Sequence, residues 1–176
     1  MAVLRATLNL LKSLPACSAE LPETPINALG DWYANRVVVH RRPLILLMSS
    51  TSLLAILAPA RDVKTLPDRL PQLVADRLRR LPISEHIVAA EVEAMDQVLV
   101  GKTRDRSLRG QLVHFARELP YYLPPEGWQD SHLRMMEDNL GETPCRVSPP
   151  NTAAIWPDRT AVRLLLATWP AQTTRH

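Results

Sequence analysis

"PLILLMSSTSLLAILAPA", residues 43–60, carries no charged side chain and is bounded by Arg41, Arg42 and Arg61. Its length sits at the lower edge of what crosses a hydrocarbon core. A membrane span needs an unbroken apolar surface, and Ser49, Ser50, Thr51 and Ser52 put four polar residues at the centre of this one. The stretch therefore reads as two short buried elements with a break between them. Leu44 to Met48 is apolar at every position, as expected for a strand covered on both faces. "TSLLAILAPA" then reads as a short helix, with Ser50 or Thr51 as its cap and Pro59 as its stop. That choice makes the chain a protein with a buried sheet and no membrane partner.

Reading outward toward the N-terminus, Val37 to His40 is a second β-branched run, joined to the first through "RRP" as a hairpin. "MAVLRAT" opens the chain as a strand, and Thr7 is placed to cap a helix over "LNLLKSL". Residues 15–28 are proline-rich and polar, hence a loop. "LPACS" around Cys17 resembles a lipoprotein cleavage box, but Arg5, Asn9 and Lys12 interrupt the apolar run that such a box requires. Cys17 and Cys145 lie in no C-x-x-C pair and near no metal-like histidine spacing, so both are expected to be reduced thiols of a cytoplasmic protein.

Toward the C-terminus, Thr65, Pro67 and Asp68 mark a helix start, and Leu66, Leu70, Leu73, Val74, Leu78 and Leu81 form its apolar stripe. Ser84 caps a further helix over "EHIVAAEVEAM", and residues 97–103 read as a strand. A helix begins near Asp105, with Leu108, Leu112, Phe115 and Leu119 on one face and Pro120 as its end. Residues 120–157 read mostly as loop, with one short helix at 131–140. Asp158 to Trp169 fits a helix or a last strand, and residues 170–176 read as frayed.

These elements predict an α/β or α+β single domain. A small mixed sheet of three to five strands (Ala2–Thr7, Arg36–His40, Leu44–Ser49, Gln97–Thr103) is packed by four or five helices. Residues 1–150 form the globular domain, and 151–176 are an extension packing on it. The chain's 176 residues, 46% of them hydrophobic and 22% charged, suit one such core.

Three motifs stand out: "RAT" from Arg5 with Leu10 and Leu11, "GDWYAN" at residues 30–35, and "KTxxRSxxG" at residues 102–110. Asn139 and Thr143-Pro144 follow. Together they resemble a small bacterial and archaeal domain family of unknown function, over about Ala2 to Val147. The resemblance implies that "GDWYAN" and "KTxxRSxxG" matter together, and it lends no activity. The chain departs from the family pattern at Asp105 and at Gln111, Leu112, Val113 and His114, so no catalytic role is carried over to those positions.

The net charge of +3 permits contact with nucleic acid without demanding it. The cations gather in "RLRR" at residues 77–80 and around residues 102–109. In the second cluster a strand ends and a helix begins, leaving amides that attract anions. Lys102, Thr103, Arg104, Arg106, Ser107 and Arg109 are therefore the candidate anion-binding residues. The bland alternative is a solvated helix start capped by Asp105. Trp32 and Tyr33 would point to opposite sides of a strand, leaving one ring to stack on a ligand. Asp31, Asn35 and His114 are supporting candidates. "GKT" lacks the upstream glycine of a phosphate-binding Walker loop, since Asp96 stands there. The five histidines show no metal-binding spacing, and no dinucleotide fingerprint is present, so neither a metal nor a cofactor is expected. The leading expectation is an accessory protein that binds a nucleic-acid backbone or phosphate ligand. A small hydrolase or nuclease-like toxin built on Asp31, Lys102, Arg106 and His114 is one alternative, and a protein-interaction module is the other.

Overall fold

The computed structural model describes residues 1–147 and 153–170. The expected frayed tail at 171–176 and the expected domain boundary at 150 lie outside those residues. Five strands form one sheet in the order β4-β3-β2-β1-β5. They are β1 (Ala2–Ala6), β2 (Trp32–Val39), β3 (Arg42–Ser49), β4 (Ala55–Pro59) and β5 (Val98–Lys102). β1 runs parallel to both β2 and β5, whereas β2, β3 and β4 form an antiparallel meander. Among the described residues the helices are α1 (Leu8–Leu11), α2 (Leu66–Leu78), α3 (Glu85–Ala94), α4 (Arg106–Tyr122), α5 (Asp130–Glu142) and α6 (Pro157–Thr168). The result is a single α+β unit with a mixed sheet, as the patterning implied.

β3 is apolar from Leu44 to Met48 because both of its faces are covered there. Ile45 and Leu47 join the core on the side of α2, α3 and α6, while Leu44, Leu46 and Met48 join the core under α4 and α5. β4 corrects the helix expected over 51–60. Ala55 and Leu57 go to one core and Ile56 and Ala58 to the other, so consecutive positions are buried, which a half-buried helix cannot arrange. The polar run 49–52 is the turn between β3 and β4. The Ser49 hydroxyl donates to the Leu29 carbonyl (2.7 Å) and accepts from the Ser52 amide (3.1 Å). Gly30 sits against this turn at φ +71°, and a Cβ there would collide with Ser50 and Thr51.

The β2–β3 hairpin turns through His40 (φ 46°) and Arg41 (φ 68°), both left-handed, as a two-residue hairpin turn requires. Pro120 does not end α4, which continues through it to Tyr122. Pro71 likewise lies inside α2. Asp158 to Trp169 is resolved as helix α6, with Ala161 and Leu165 in the core.

Both sheet edges are partly covered. On β4 the Arg77 Nε donates to the Ala55 carbonyl (3.3 Å), and the Leu57 amide donates to Glu137 Oε1 (2.7 Å). On β5 the Ser18 amide donates to the Val100 carbonyl (2.9 Å). An open edge would present unpaired peptide groups to other chains, and these contacts satisfy some of those groups. No helix among the described residues is long and apolar enough to cross a membrane.

Candidate functional site

The carboxyl ends of β1 and β5 bring the three sequence motifs together. Arg5 interrupts the otherwise apolar β1 and is 3% exposed. A charge so buried needs partners. Its Nε pairs with Asp31, and its Nη1 donates to the Lys102 carbonyl (3.2 Å). Thr7, just beyond β1, donates its hydroxyl to Asn35 Oδ1 (2.9 Å), and its amide donates to the Ala34 carbonyl (3.0 Å). The Asp105 amide donates to the Tyr33 hydroxyl (3.2 Å). So "GDWYAN" and "KTxxRSxxG" do meet, with β1 between them. Asp31, Tyr33 and Asn35 anchor the strand ends and seat the start of α4.

This corrects the stacking role expected for the aromatic pair. Trp32 and Tyr33 do point to opposite faces, one into each core, but they are only 0% and 2% exposed. Neither ring is open to a ligand.

The cations of this region face the other way. Lys102, Arg104, Arg106 and Arg109 are exposed, while Thr103 and Ser107 are half-buried. Arg104 lies 3.8 Å from Asp31. Among the described residues, Lys102, Arg106 and Arg109 form no ion pair. Asp105 caps α4 by accepting from the Leu108 amide (2.9 Å). The helix mouth therefore holds one carboxylate beside several unpaired cations.

His114 is exposed two turns further along α4, about 12 Å from Arg106 along the axis. It lines a hollow of about 170 Å³ with Glu118, Tyr122, Asn139 and Thr143, and does not join Asp31 and Lys102. Burial pushes the Cys145 thiol up to about 11, which disfavours the reactive thiolate. A larger groove of about 880 Å³ lies between α5 and α6, lined by Leu81, Glu142, Trp156, Arg159, Arg163 and Leu166.

Two features escaped the sequence reading. Arg5 is the hub of the buried cluster, and its signal was a lone charge inside an apolar strand. Tyr121 continues the exposed face of α4 beyond Arg117, and its signal was helical spacing from Arg106.

Neither the comparison with curated proteins nor that with solved structures finds a match. The family model described as a domain of unknown function (DUF6933) matches residues 3–160, nearly the whole of the sheet and helices just described, and the chain belongs to that family.

Proposed function

We propose that this protein is a non-catalytic cytoplasmic binding protein whose partner is a polyanion, a nucleic-acid backbone above all. The carrying observation is the set of cations at the start of α4: Lys102, Arg106 and Arg109 are exposed and, among the described residues, without a carboxylate partner. Unpaired charges at the surface keep their full attraction for phosphate, and the helix dipole adds to it. The reading of the chain as a hydrolase lacks this support, because His114 stands apart from Asp31 and Lys102. The cytoplasm suits two free cysteines, Cys17 and Cys145.

The test is a salt titration of binding to labelled single-stranded RNA and to heparin. With about four phosphates neutralised, the log–log slope should be about −3. The double substitution Arg106→Glu with Arg109→Glu should weaken binding more than about tenfold. Absence of binding at low salt ends the proposal.

A further inference from the structure

Gly110 is the one motif glycine for which the fold supplies no reason. It lies inside α4, its φ is not left-handed, and a Cβ built on it would meet nothing within 4 Å apart from its chain neighbours and its own helix backbone. Glycine weakens a helix interior relative to alanine, so the position carries a penalty without a structural return. Where glycine is not needed by its own chain, close approach of another molecule's backbone is the remaining use for a missing side chain.

The surroundings say what that molecule is. At 3.6 residues per turn, Arg106, Gly110, Val113, Arg117 and Tyr121 fall within an arc of about 80° on the outer face of α4. Arg109 flanks them. Glu118 is the sole acid in α4, and it turns toward the hollow beside α5. Among the described residues, Arg106, Arg109 and Arg117 have no carboxylate partner. At the far end Tyr121 is 83% exposed. The hairpin turn is fastened there: His40 Nε2 lies 3.1 Å from the Pro120 carbonyl and 2.9 Å from that of Leu123, which brings exposed Arg41 to the same end. From Arg106 to Tyr121 the axis advances about 22 Å, room for several nucleotides.

We infer that a single-stranded nucleic acid lies along this face, its sugar-phosphate chain against the helix at Gly110 and a base stacked on Tyr121. Guanidinium groups on either side of the glycine hold the phosphates, and the open ring takes a base of any sequence. A single strand fits better than a duplex, because only unpaired bases offer a free face to Tyr121. The inference rests on the polyanion reading above and specifies its ligand.

The experiment uses the full chain, a fluorescein-labelled oligouridine RNA of about twelve nucleotides, and heparin as a polyanion without bases. Gly110→Gln changes no charge and introduces a better helix former, so it should melt as high as the parent or higher. It should nevertheless bind the RNA about tenfold more weakly, as when a charge-assisted contact is lost. Tyr121→Ala should weaken RNA binding by about tenfold and leave heparin binding unchanged. If either variant binds the RNA as the parent does, the inference is overturned. In that case heparin binding by the parent, abolished in the Arg106→Glu/Arg109→Glu variant, leaves the polyanion reading standing. If the parent binds neither probe, both readings fall together.

Discussion

Two arginine-rich stretches of this chain look alike in sequence and differ in fate. Arg77, Arg79 and Arg80 sit at the end of α2, and each finds a carboxylate. Arg77 pairs with Asp158 (2.6 Å) and approaches Asp138 (3.8 Å), Arg79 pairs with Glu85 (2.8 Å), and Arg80 pairs with Glu137. Arg77 is only 2% exposed, and it also binds the carbonyls of Ala55 and Glu137, so α2, α5, α6 and the β4 edge converge on one guanidinium. Around α4, by contrast, Lys102, Arg106 and Arg109 are exposed and find no such partner among the described residues. The difference teaches that a basic cluster is an interaction surface only when the fold leaves it unneutralised. The first stretch holds helices together; the second stays exposed and, among the described residues, unneutralised.

The comparison breaks if the two stretches respond alike to truncation. Arg77→Ala strands Asp158 and two carbonyls beside a buried gap, and should lower stability by about 3–5 kcal/mol in equilibrium urea unfolding. Arg109→Ala should stay within about 0.5 kcal/mol of the parent. Equal losses would mean that the α4 cations are structural after all.

A smaller effect separates the cap from the charge at the mouth of α4. Asp105→Ala removes the acceptor of the Leu108 amide and should lower stability by about 1 kcal/mol. Asp105→Asn keeps an acceptor of similar capping strength, so it should retain that stability while gaining affinity for heparin through the lost negative charge. Loss of affinity in the Asn variant would assign Asp105 a direct part in binding.

The smallest effect is a pH dependence confined to the neutralised cluster. Burial pushes the carboxyls of Glu137 and Asp158 up, and this outweighs the lowering by Arg80 and Arg77. The folded protein then holds these protons more tightly than the unfolded chain does. Their contribution is therefore most favourable below the ordinary carboxylate value, 3.8 for Asp158, and declines as pH rises through the raised folded value. The stability of the parent minus that of Asp158→Asn should shrink as pH increases across that window, followed by thermal melts. A difference that grows with pH would show that pairing with Arg77 dominates.

Much of the fold was legible before the structure. An unbroken apolar run from Leu44 to Met48 marks β3, Asp105 announces the cap of α4, and the adjacent rings of Trp32 and Tyr33 sort themselves to opposite faces as a strand dictates. The misreading of 51–60 came from taking "SSTS" as a cap when it is a hairpin turn. Serines and threonines serve both purposes, and only the free side of β3 determines which. At the candidate site, the exposure of Arg106 and Arg109 followed from the helical spacing of Leu108, Leu112, Phe115 and Leu119, whereas Lys102 and Arg104 precede α4 and their exposure did not follow from that spacing. The structural duty of Asp31 did not either, because its partner Arg5 lies on β1, 26 residues away in the chain.

The sequence by itself determined which residues of the long helices are apolar on which face and where α4 begins. These depend on neighbours within a few residues, through period and capping. Tertiary structure alone decided which arginines are neutralised and which peptide groups of the β4 edge are satisfied. Arg77 and Asp158 are 81 residues apart and Leu57 and Glu137 are 80 apart, yet their charges and hydrogen bonds act only over a few ångströms. Folding must bring such groups together before either can influence the other.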